Sequence, residues 1–177
     1  MSDGQFTDPS LGEATISARA LGFVRSEVFR RAFTGGMAMV EETATYLDGP
    51  GREDSRGLPR RAALAYAGES MRLTTRLMQV ASWLLVQRSV ADGDVSVEEA
   101  SKDKYRLSAR EVCTGRKPEA EELLPARLVE LLGKSAQLYE RIDRLDRTIY
   151  SAEAEPAPEG ARGHFDRLAS AFGAIGK

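Results

Sequence analysis

The sequence predicts an all-α fold, an antiparallel three-helix bundle with long helices and flexible termini, and three observations carry that prediction. From Pro59 to Ala91 the apolar residues recur at steps of three and four, along two stripes instead of one. A second run, Leu124, Leu128, Leu131, Ser135, Leu138, Ile142, Leu145 and Ile149, keeps a heptad to its end, with Leu132 and Tyr139 widening it. The composition, 42% hydrophobic, 29% charged and 7% aromatic, suits helices better than strands. A chain of 177 residues has room for one core of ordinary size plus tails.

Residues 1–14 mix Gly, Asp, Pro and Ser without periodicity and read as a disordered tail. The bundle domain is expected over 15–150. Its first helix, about 17–48, is marked by Phe33, Met37, Val40, Ala44 and Leu47, and the pair Gly35–Gly36 inside it signals a kink or a close helix–helix approach. Gly49 and Pro50 then stop the helix.

Pro59 suits the first turn of the central helix, about 59–92, which Asp92-Gly93-Asp94 ends. One stripe of this helix is Leu64, Ala67, Met71, Thr74, Met78, Ala81 and Leu85; the other is Tyr66, Ser70, Leu73, Leu77, Val80 and Leu84. With both stripes packed, the polar remainder, Glu69, Arg72, Arg76 and Gln79, is expected to form a narrow ridge facing water or a partner. Ser96 with Glu98 and Glu99 opens a short helix, about 96–110, in a connector read as mobile up to Pro118. The third long helix is expected over 121–150. After Ser151 a Pro/Glu-rich stretch begins a flexible tail, 151–177, with a short amphipathic helix over 163–172 carrying Phe165, Leu168 and Phe172.

Chemistry is hard to find. His164 is the one histidine and Cys113 the one cysteine, so neither a zinc site nor an activated Ser or Cys nucleophile can be assembled, and no Glu-x-x-His motif supports a di-iron bundle. Gly133-Lys134-Ser135 copies the end of a phosphate-binding loop, but it sits inside the leucine heptad with no strand before it. The chain therefore reads as non-enzymatic, with no catalytic residue, metal or cofactor. The lone cysteine, the polar start and the lack of a membrane-length apolar run point to a cytoplasmic protein.

Binding features are easier to name. Arg52, Arg56, Arg60, Arg61, Arg72 and Arg76 outnumber Glu53, Asp54 and Glu69 in a chain whose net charge is −2, which suits docking of an acidic protein surface. Trp83, on or near the polar ridge, reads as an interface residue and a candidate dimer contact. Candidate partner-binding residues are thus Arg60, Arg61, Glu69, Arg72, Arg76, Trp83, Phe165, Leu168 and Phe172. An alternative is a DNA-associated regulator using residues 96–117 as a helix-turn-helix. Against it, Glu98, Glu99, Asp103 and Glu111 nearly cancel the basic residues there, and no nucleic acid is expected.

The strings GGMAMVEETATYLDGPGREDS and ALAYAGESMRLTTRLMQVASWLLVQRSV resemble the bacterial family of RcdA, the regulator of CtrA degradation, over about Phe33 to Asp92. The resemblance implies a three-helix bundle that forms a homodimer and has no catalytic activity. It further implies an adaptor that helps deliver the cell-cycle regulator CtrA and other substrates to the ClpXP protease, together with CpdR and PopA, with its C-terminal end serving in those contacts. Recruitment to a cell pole is part of the same expectation.

Overall fold

Where each helix begins and ends follows from local chemistry. The structure, a computed structural model, describes residues 9–114 and 120–151. The first expected helix is two: α1, Pro9–Val24, and α2, Glu27–Asp48. Ser26 separates them, because its Oγ accepts from the Phe29 amide (3.2 Å) while its hydroxyl donates to the Phe23 carbonyl (2.6 Å), capping α2 where α1 stops. Residues 9–14, expected in the tail, belong to α1; residues 1–8 lie outside the described residues. A short helix α3, Pro50–Arg56, fills the expected turn, with its proline in the first position.

The central helix α4 runs Arg60–Asp92 and ends at Gly93 in the left-handed conformation, φ 85°. The connector holds two four-residue helices, α5, Val97–Ala100, and α6, Arg110–Cys113, with a 3₁₀ turn at Asp103–Tyr105 between them. These replace the single helix expected over 96–110. A second 3₁₀ turn, Glu121–Leu123, precedes the last long helix α7, Ala126–Tyr150. All regular structure among the described residues is helical, and no helix there is long and apolar enough to cross a membrane.

The helices do not all alternate in direction. Arg76 meets Leu132 and Ser135, Trp83 meets Asp146, and Gln87 meets Tyr150, so α4 and α7 ascend together. By contrast α2 descends against α4: Gly36 lies beneath Leu84, and Gly51, just past α2, meets Tyr66. The expected antiparallel bundle is therefore corrected at one pairing. Short loops force neighbours to be antiparallel, but the stretch from Gly93 to Pro125 is long enough to travel back along the bundle.

That return path is packed. Going down the connector, Ser108 meets Gln79, Cys113 meets Arg76, and Ala120 sits beside Arg61, Leu64 and Ala65, so the strand of chain runs against α4 in reverse. One core cluster gathers α1, α2 and the upper halves of α4 and α7 around Trp83, Leu84, Tyr139 and Ile142; the other gathers Leu73 and Leu77 with Leu124, Leu128 and Leu131.

The two glycines inside α2 differ. A Cβ at Gly36 would lie 2.5 Å from the buried Leu84 Cδ1, whereas one at Gly35 meets nothing within 4 Å. Gly36 thus sets the close approach of α2 to α4, and α2 passes through both glycines unbroken. Both alanine variants gain about 1 kcal/mol of helix propensity, but only Gly36→Ala overpacks the core, by about 1–3 kcal/mol. Urea unfolding should therefore show Gly35→Ala above wild type in stability and Gly36→Ala below Gly35→Ala by about 1–3 kcal/mol.

Candidate protein-binding surface

The central helix carries two kinds of surface, and the fold treats them opposite to expectation. The polar ridge is covered. Arg76 is 3% exposed, and its guanidinium donates to the Cys113 carbonyl (3.0 Å), the Leu132 carbonyl (3.1 Å) and Ser135 Oγ (2.8 Å). None of these acceptors is a carboxylate. Burial, and next the nearby Arg72, push its pKa down from the ordinary value. Gln79 accepts from the amide (3.1 Å) and hydroxyl (2.9 Å) of Ser108. Glu69 is buried and paired with Arg72, whose Nε donates to it at 2.9 Å. The connector lies over these polar groups, so it is a packed strap and not the mobile link expected.

Trp83 is likewise interior, 1% exposed, with Nε1 donating to Asp146 Oδ1 at 2.8 Å and its ring 5.9 Å from that of Phe23. It is a core anchor, so the expected dimer contact is not on offer at this residue. Asp146 also accepts from Arg106 Nε (2.7 Å), and Asp143 accepts from Arg110 Nε (2.7 Å), fastening the strap to α7. Tyr139, buried under the strap, donates to the Ser108 carbonyl at 3.0 Å, and burial pushes its phenol up to about 12. Cys113 is buried too, and burial raises its thiol pKa, which keeps it unreactive.

Of the candidate residues, Arg60 and Arg61 are exposed at the start of α4, so the arginine ridge is reduced to its lower end. Phe165, Leu168 and Phe172 lie outside the described residues. The helix-turn-helix over 96–117 is not formed: α5 and α6 have four residues each, too short to lie in a groove, and Arg106 and Arg110 are held by carboxylates of α7.

What the ridge lost, an apolar stripe gained. Leu64, Met71, Met78 and Leu85 are 76%, 72%, 65% and 53% exposed. They stand seven residues apart, and the other exposed positions between them, Ala67, Gly68, Thr74 and Ser82, are small and uncharged. This face of α4 is about 32 Å long at 1.5 Å per residue. Large side chains at heptad spacing with small ones between them are what a second helix packs against. The flanks extend it. Val40, Ala44 and Leu47 of α2 line a hollow with Leu77 and Met78, in which the Thr43 hydroxyl is buried without a hydrogen-bond partner, and Val112 of α6 is exposed beside Met71. Contiguous apolar surface of this extent marks an interaction site. The sequence contains this signal, in the heptad of Leu64, Met71, Met78 and Leu85, but a stripe that faces the core and one that faces outward have the same spacing. Among the described residues no group of three or more His, Cys, Asp or Glu could hold a metal ion.

Arg76→Ala should cost about 3 kcal/mol in urea unfolding, since it removes the donor to the buried Cys113 carbonyl and leaves a cavity, while the Leu132 carbonyl keeps the Ser135 hydroxyl. Arg60→Ala and Arg61→Ala should change stability by no more than about 0.5 kcal/mol.

Comparison with known proteins places the chain. The family described as "Protein of unknown function (DUF1465)" matches residues 21–172. The crystal structure of RcdA from Caulobacter crescentus is 53% identical, with a TM-score of 0.58, the match covering 71% of this chain and 93% of that one. None of the curated proteins matches. The chain belongs to the DUF1465 family, and its kinship to RcdA is borne out.

Proposed function

We propose that the protein is a non-enzymatic, cytoplasmic adaptor that helps deliver CtrA and other substrates to the ClpXP protease, acting with CpdR- and PopA-like factors at a cell pole. The similarity to RcdA supports the adaptor theme. The observation that carries a binding role is the uncharged, exposed face of α4 from Leu64 to Leu85, which a chain with no partner would leave in water. A homodimer is part of this reading, with two copies of that face packed together: heptad-spaced Leu and Met knobs set among small residues suit helix–helix pairing. Arg76, Trp83 and Asp146 are buried in the framework, and Arg60 and Arg61 are exposed at one end of the face, where they can meet an acidic partner.

The reading is tested by reconstitution. Adding the protein with its accessory factors should raise the rate of CtrA degradation by ClpXP; an unchanged rate across a range of concentrations rejects the adaptor role. In sedimentation, Met71→Asp/Met78→Asp should shift the protein from dimer to monomer. Because both side chains are exposed in the single chain, its thermal unfolding should stay within about 1 kcal/mol of wild type when the two are compared at a concentration low enough for the wild type to be monomeric.

A further inference from the structure

The α4 face has a candidate cover within the same chain. Tyr150, the last residue of α7, donates its hydroxyl to Gln87 Oε1 at 2.8 Å, so the described chain ends at the level of Leu85, two residues earlier on α4. From there 13 residues, 152–164, lead to Phe165. Extended, they span about 43 Å, more than the roughly 32 Å of the face, and as a coil they average about 20 Å. Every point of the face is within reach of the tail.

The tail sequence matches what the face lacks. Phe165, Leu168, Phe172 and Ile175 stand at steps of three, four and three, which on a helix places them within an arc of about 80°. Asp166 and Arg167 fall on the opposite side. The resulting apolar edge is about 15 Å long, close to the spacing of two or three successive knobs on α4, and the face offers no charge to oppose it. Such a short segment is marginal as a helix in water and gains by folding onto a surface. Tethered by so short a linker, it meets the face at an effective concentration in the millimolar range, well above the concentration of a second copy in a dilute solution.

We infer that residues Phe165–Ile175 dock on the exposed face of α4 in the same chain and compete there with the second copy, so that the tail sets how readily the protein dimerises. This rests on the proposed use of the α4 face for self-association.

The test uses the full chain with p-benzoylphenylalanine in place of Phe172, irradiated at about 1 μM as a mixture of isotopically labelled and unlabelled protein. Cross-links from the tail to peptides carrying Met71, Met78 or Leu85 within one chain are expected, falling about tenfold in Met78→Asp. Cross-links confined to mixed-isotope pairs, cross-links to other helices only, or none at all overturn the inference. Separately, Phe165→Asp/Leu168→Asp should tighten the dimer dissociation constant about tenfold in sedimentation, by removing the competitor; an unchanged or weaker dimer counts against competition. Failure of CtrA delivery with the intrachain cross-link present would reject the adaptor reading alone, and delivery without that cross-link would reject the tail alone.

Discussion

A guanidinium buried without a carboxylate holds three separate pieces of this chain together. Arg76 of α4 reaches the end of α6 at the Cys113 carbonyl and the body of α7 at the Leu132 carbonyl and Ser135 Oγ. Removing a charged group from water is costly, and here the cost is offset by hydrogen bonds to oxygens that themselves need donors. Cys113 ends a short helix, where carbonyls lack intrahelical partners and carry partial negative charge. A rigid connector is therefore a condition of burying Arg76, and burying Arg76 is what gives the connector a fixed path.

From that constraint follows the direction of α7. A strap that must pass Gln79 and then Arg76 on its way to Pro125 delivers the chain to the start of α4, so the last helix can only ascend beside it. The pairs Arg106–Asp146 and Arg110–Asp143 fasten the strap to α7, and Trp83 shares Asp146 with Arg106. Each of these contacts joins residues distant in sequence, and together they tie the polar side of α4 into the interior.

The same arrangement explains why an apolar face is left outside. A helix that gives one side to α2, one to α7 and one to the strap has a single side left, and on α4 that side holds Leu64, Met71, Met78 and Leu85. Surface of this kind is costly in water and suits the binding of another apolar surface.

The sequence by itself determined the local units. The periodicity and the proline and glycine signals placed α4 and α7 within a few residues, and the strings around Met71 and Trp83 announced the family. Helical spacing states which residues share a face, because the turn of the helix is intrinsic to the backbone. It does not state which neighbour covers that face. Arg76 and Glu69 were expected outside because charge prefers water, and Met71 and Met78 inside because hydrocarbon avoids it. Only the tertiary structure reversed this, since the Cys113 carbonyl and Ser108 of the connector, with the Leu132 carbonyl and Ser135 of α7, satisfy Arg76 and Gln79 of the polar ridge, and nothing in the described chain was left to cover the apolar one.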